Sequence, residues 1–296
     1  MSEKQLVSSN MKEESPDLPT SPSEQDSIEN KDGEEPGVAD AQPTNEEIGE
    51  IKHEELLMFQ GQIKQGDIAL TSDEALCLIG REWLSDTVIE FYLEYLRRVK
   101  FKDYSDQIEI IGPCVAQLLK NIEDTKDIAH QLEPLKLHER KIVLIPVNNE
   151  LAGTEGTGSH WSLMFYLPDS KSFHHIDTLD PMNHDAAYEI AGQMDRGLGI
   201  QEDPENLDEY PDFVTYFAVQ QSNNYDCGVH VLANADNAIR QIVVDDVDKD
   251  DFIQDKRINV RRERRTILDV ILCLVWKRDN LDNNEHDTSY ILQRLR

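Results

Sequence analysis

Between residues 85 and 99 the apolar positions Val88, Phe91, Tyr92, Tyr95 and Leu96 recur at three- and four-residue intervals, the spacing of one helix face. Ser85 stands immediately before that run, where an N-cap belongs. Shorter helices are predicted over 113–121 and 125–132. The runs 141–147, 161–167, 172–177 and 213–219 are rich in aliphatic and aromatic residues and read as strands, with a turn at 168–170 between the second and third. Helical patterning returns at 186–198, 226–242 and 266–277. Helices first, then a sheet, then more helices predict an α+β domain rather than alternating α/β units, and no internal repeat is present.

The patterning starts late in the chain. Residues 1–55 hold 16 acidic residues against 4 basic ones, a net of −12, and almost no aromatics. Such a segment buries too little apolar surface to offset its ordering entropy, so 1–55 is expected to be a disordered acidic tail. That leaves a domain over 56–280, ample for one core, and a short C-terminal tail over 281–296. No apolar run approaches the 18 residues of a membrane span, so no membrane contact is expected. Across all 296 residues the net charge is −30, which repels a phosphate backbone and argues against nucleic acid as a ligand. The same charge suits a basic protein partner. Four scattered cysteines fit a reducing compartment, the cytoplasm or the nucleus.

Candidate chemistry concentrates in QQSNNYDCGVHVLANA, Gln220 to Ala235. Cys227 opens an apolar helical run, and a helix N-terminus favours the thiolate. Gly228 lets backbone approach a reacting carbonyl, and Gln221 can donate an N–H to the oxyanion that forms there. Upstream, His160 begins one predicted strand and Asp177 ends the next. If the two strands form a hairpin, the residues lie side by side, as a base and the carboxylate that orients it.

Each reading has a plainer competitor. Cys77, Cys114 and Cys273 fit as small apolar helix residues. His174 and His175 compete with His160 as base; they alternate faces within a strand, so one is expected to face solvent and the other the interior. His230 falls one turn after Cys227, where packing suffices to explain it. There is no C-x-x-C pair and no H-E-x-x-H, so neither metal nor cofactor is expected. The loop 148–159 carries three glycines just before His160 and is either a plain loop or a segment that closes on substrate. KRINVRRERR, residues 256–265, is either a solvated helix face or a nuclear-import patch.

The pieces EWLSDTVIEFYLEYL (82–96), GSHWSLMFYL (158–167), FHHIDTLD (173–180) and QQSNNYDCG (220–228) together resemble the Ulp/SENP cysteine proteases, over about 56–276. The segment HQLEPLKLHERKIVLIPVNN is most similar to the deneddylase branch, the sentrin-specific protease that acts on the Nedd modifier. The resemblance implies a papain-like, adenain-like fold with a central mixed sheet flanked by helices. It places His160, Asp177, Gln221 and Cys227 on catalytic positions, the last two as oxyanion donor and nucleophile. It also places Trp83 and Trp161 on a narrow tunnel that holds a side-chain-free Gly-Gly tail, although both also fit as core aromatics. Ser85 departs from the usual asparagine of W-L-N-D. Asp86 is a candidate partner for a basic residue of the modifier, or simply an acid in a helix's first turn.

The implied reaction is cleavage after the Gly-Gly of Nedd through a Cys227 thioester, either in a precursor or in a lysine conjugate such as a cullin. A monomer is expected. Three alternatives stay open: the same chemistry on SUMO, an acetyltransferase with the same order of residues, and a non-catalytic module that binds a ubiquitin-like protein.

Overall fold

The computed structural model describes residues 61–150, 156, 158–200, 211–253 and 258–280. By internal packing the chain divides into residues 1–42 and 43–296, and every described residue lies in the second unit. Both expected tails, 1–55 and 281–296, lie outside the described residues.

The described chain opens with a hairpin, β1 (Gln62–Gln65) against β2 (Ile68–Thr71), which the sequence pattern did not announce. Helix α1 follows over Asp86–Tyr95, and the Ser85 hydroxyl caps it by accepting from the Val88 N–H at 3.3 Å. The predicted helix to Val99 is interrupted, because residues 96–100 widen into a π-helical turn. Next come β3 (Ile108–Ile110), α2 (Pro113–Asn121), α3 (Thr125–Leu132), β4 (Ile142–Asn148), β5 (Trp161–Leu167) and β6 (Ser172–Asp177). The chain continues with α4 (His184–Leu198), β7 (Asp212–Phe217), α5 (Cys227–Ala238) and α6 (Val260–Asn280).

Five strands form one mixed sheet in the order β3-β4-β5-β6-β7. The outer pairs β3–β4 and β6–β7 are parallel, whereas β4–β5–β6 is an antiparallel meander. Helices cover both faces, so successive residues of a strand enter opposite cores. Ile142, Leu144, Leu163 and Phe165 pack with residues of α1, α5 and α6; Val143, Ile145, Val147, Met164 and Phe173 pack with residues of α2, α3 and α4. That double burial is why these strands read as continuous apolar runs. It also corrects one expectation: neither His174 nor His175 faces solvent, and both are buried.

Helix α5 is the centre of the first core, with nine of its twelve residues buried. A Cβ on Gly228 would sit 2.9 Å from Leu84 Cβ and 3.3 Å from Ile89 Cδ1. The glycine therefore lets α5 approach the chain just before α1, a packing reason that the sequence reading did not supply.

Phe165 is fully buried at mid-sheet, stacked on His174 at 4.9 Å and tilted against Phe252 at 5.5 Å. Replacing it by alanine is expected to cost about 3–5 kcal/mol in urea denaturation. A loss below about 1 kcal/mol would contradict its place as a core plug.

Candidate active site

The hairpin predicted around residues 168–170 is β5–β6, with Leu163 opposite Ile176 and Leu167 opposite Ser172. That register brings His160, just before β5, beside Asp177 at the end of β6. His160 Nε2 lies 2.6 Å from Asp177 Oδ1, and both side chains are fully buried. The carboxylate is further held by two backbone N–H groups: Leu179 donates to Oδ1 and Asn183 to Oδ2, each at 2.9 Å. Burial alone would raise the Asp177 pKa, but the His160 hydrogen bond and these two N–H donors outweigh it and hold it below the usual carboxylate value.

The opposite balance acts on His160. Burial disfavours its charged form, yet the Asp177 hydrogen bond, then the Cys227 thiol, then the charges of both, raise its pKa to about 9. Its other ring nitrogen, Nδ1, makes no hydrogen bond of standard geometry, which leaves it to serve Cys227. Cys227 is a free thiol, 1% exposed, at the first position of α5. An N–H at that position has no acceptor within its own helix and points out of the N-terminus.

Gln221 is fixed at three points. Its backbone N–H donates to Thr178 O at 2.9 Å, its Oε1 accepts from Thr178 Oγ1 at 2.8 Å, and its Nε2 donates to Asn223 O at 2.6 Å. A carboxamide nitrogen carries two hydrogens, so one remains to meet an oxyanion.

The competing histidines are neutral structural groups. His174 bonds Ser172 Oγ at 2.8 Å and Tyr216 OH at 2.9 Å, and His175 bonds Ser162 Oγ at 2.8 Å. Burial pushes both down to about 4. His230 is also buried, and burial lowers its pKa as well. Cys77 sits against the first core and Cys273 is buried on α6; Cys114 is exposed, so it is not a core residue.

Trp83 and Trp161 line one open groove of about 640 Å³ together with Ser85, Asp86, Cys114 and Asn148. Trp83 is 48% exposed, so it is no core aromatic; its Nε1 donates to Asn224 O at 2.5 Å, tying the groove wall to the loop before Cys227. Trp161 is half-buried and packs on the first core. Among the described residues no group of three or more His, Cys, Asp or Glu side chains is placed to hold a metal, and no helix is long and apolar enough to cross a membrane.

Residues 82–269 match the Ulp1 protease family, C-terminal catalytic domain. The chain belongs to the Ulp1 protease family. It is a cysteine protease of a family that acts on ubiquitin-like modifiers. The chain is similar to human sentrin-specific protease 8, 33% identical over 174 residues, 59% of this chain and 76% of that protein. It is similar also to NEDD8-specific protease 1 of Arabidopsis thaliana, 32% identical over 171 residues, 57% of this chain and 71% of that one. These are relatives of the deneddylase branch, in agreement with the resemblance of residues 130–149. The solved structure of the SUMO protease Ulp1 with its catalytic cysteine oxidized to a sulfinic acid superposes with a TM-score of 0.55 at 20% identity, over 79% of this chain and 97% of that one. That likeness establishes the fold: an Ulp1-like α+β protease with a five-stranded mixed sheet.

In this Ulp1-family chain two asparagines support the histidine, and sequence reasoning missed both. Asn149 Oδ1 accepts from the His160 backbone N–H at 3.0 Å and from that of Ser159 at 2.8 Å. Asn183 Nδ2 reaches Val147 O at 2.9 Å, Ser162 Oγ at 3.1 Å and His160 O at 3.2 Å. An asparagine directly before a helix reads as its cap, yet Asn183 makes no capping bond and turns its side chain to the site instead.

The raised His160 pKa sets a pH dependence of stability. The folded state holds this proton more tightly than the ordinary value of 6.5, so the contribution is complete below about pH 6.5 and is lost as pH rises through about 9. In thermal melts across that window, wild type is expected to lose stability relative to His160→Gln. Parallel curves for the two proteins would contradict the raised value.

Proposed function

We propose that this protease releases NEDD8, or a closely similar modifier, by cutting after its C-terminal Gly-Gly. The substrates are a precursor with extra residues and a lysine conjugate such as a cullin. The reading is supported by the buried His160–Asp177 pair, with the Cys227 thiol acting on the same imidazole. The choice of modifier is supported by 33% and 32% identity to the two deneddylase relatives. The SUMO-protease structure is under 25% identical and bears on the fold alone.

In this reading the Gly-Gly tail lies extended in the groove between Trp83 and Trp161, where any side chain would collide with a ring. Asp86, at the mouth of the same groove, meets a basic residue of the modifier. The carbonyl of the last glycine rests against Cys227. His160, with its raised pKa, already holds the proton given up by the thiol before the carbonyl is attacked, and Asp177 keeps the ring oriented and stabilises its cation. Sulfur adds to the carbonyl carbon, and the oxyanion is met by the second N–H of Gln221 Nε2 and the backbone N–H of Cys227. Protonated His160 then gives its proton to the departing amine as the C–N bond breaks, leaving a thioester. Water that loses a proton to His160 hydrolyses the thioester and restores the thiol. A reducing compartment, cytoplasm or nucleus, keeps that thiol free.

The test uses intact modifiers carrying a C-terminal electrophile. NEDD8, SUMO and ubiquitin versions are mixed with wild type and with Cys227→Ala, and the products are weighed by mass spectrometry. A covalent adduct with the NEDD8 probe, absent in the variant, is the expected result. An adduct chiefly with SUMO would overturn the substrate, and no adduct at all would overturn the protease roles assigned to these residues. On a cleavable NEDD8 precursor, Gln221→Ala is expected to lower kcat by about 10²–10³-fold with a smaller change in KM, as loss of a transition-state donor requires.

A further inference from the structure

Within the basic run 256–265, one described cation does not face solvent. Arg264, on the first turns of α6, is only 8% exposed. Its guanidinium makes four hydrogen bonds: Nε to Asp226 Oδ1 at 2.6 Å, Nη1 to Cys77 O at 2.9 Å, and Nη2 to Glu82 O at 2.6 Å and to Tyr225 O at 3.0 Å. Asp226 is the residue before Cys227, and Glu82 is the residue before Trp83. One side chain therefore grips the segment that carries the nucleophile and the segment that carries the groove wall.

The grip continues inward. Asp226 Oδ2 accepts from Asn223 Nδ2 at 2.8 Å, and Asn223 Oδ1 accepts from the backbone N–H groups of Tyr225 and Asp226, each at 3.0 Å. Asn223 O in turn receives the Gln221 Nε2 bond at 2.6 Å, while Thr178 Oγ1 donates to Gln221 Oε1 at 2.8 Å from the far side. An unbroken chain of hydrogen bonds thus runs from Arg264 through Asp226 and Asn223 to the carboxamide of Gln221.

We propose that Arg264 is a positioning residue for the reaction, fixing the aim of the Gln221 donor at the thioester-forming carbonyl through Asp226 and Asn223. The inference rests on the roles proposed above for Gln221 and Cys227. An arginine suits the task because its planar fork presents five N–H donors in fixed directions, whereas a lysine offers a single rotatable centre. A buried charge pair with four satisfied donors also has little freedom to drift, unlike a solvated surface pair.

A double-mutant cycle on NEDD8-precursor cleavage separates positioning from general support of the fold. Arg264→Gln is expected to lower kcat by at least about tenfold while KM changes less, a part of the loss caused by removing the donor outright. In that background Gln221→Ala is expected to lower kcat by less than about tenfold, against about 10²–10³-fold in wild type, because the donor is already misaimed. Equal factors in both backgrounds would mean that Arg264 acts independently of Gln221, which overturns the proposal. Should Arg264→Gln fail to fold, Arg264→Lys keeps the charge opposite Asp226 but not the fork, and it carries the same cycle with the same two outcomes. Loss of wild-type turnover in Cys227→Ala is the separate control on the underlying reading, so a multiplicative cycle in an enzyme that passes it counts against Arg264 alone.

Discussion

The 2.6 Å hydrogen bond between His160 and Asp177, with both side chains withdrawn from water, is the constraint on which the remaining arrangement depends. Burying either group alone would be costly, since an uncompensated charge in an apolar interior typically destabilises by about 3–5 kcal/mol. Together they are tolerable because every oxygen of the carboxylate finds a donor and the imidazole gains a counter-charge. The surrounding backbone is organised to supply those donors. The turn after β6 brings the N–H groups of Leu179 and Asn183 onto Asp177, and the Asn183 side chain bonds the carbonyls of Val147 and His160. The end of the sheet is therefore a polar cluster in which both oxygens of the Asp177 carboxylate are satisfied and His160 Nδ1 is left open.

Around that cluster the fold delivers three further parts from distant stretches of chain. Helix α5 presents Cys227 at its N-terminus, and the loop before it presents Gln221 against Thr178, the residue after Asp177. The segment before α1 presents Trp83, bonded across 141 residues of sequence to Asn224 O. Gly228 allows these layers to meet, because Leu84 occupies the space that a Cβ would need. Arg264 ties the loop and the groove wall to α6, so the last helix of the domain belongs to the site as much as to the core.

Much of this was legible in the sequence for a definite reason. Strands buried on both faces read as uninterrupted apolar runs, so β4, β5 and β6 and the 17-residue spacing from His160 to Asp177 could be placed from pattern alone. Helix α1 was found through its period and its serine cap. The hairpin β1–β2 and the three-residue β3 were missed because segments of that length carry no usable period. His174 and His175 were assigned to opposite environments on the premise that one sheet face meets water; helices on both faces removed the premise. The supporting groups were hidden more deeply. Asn183 reads as a helix cap, Asn149 as a loop residue and Arg264 as one of a cluster of surface cations. Only the tertiary structure turns them inward, and no local rule of sequence carries that information.

The most direct measurement of the central claim is the titration of His160 by ¹⁵N NMR of selectively labelled histidine, assigned with His160→Gln. The account predicts an imidazolium that persists through neutral pH and loses its proton only as pH approaches about 9, while His174 and His175 stay neutral down to about pH 4. A His160 that titrates at or below its ordinary 6.5 would contradict it, because the buried carboxylate and thiol would then not be acting on the ring.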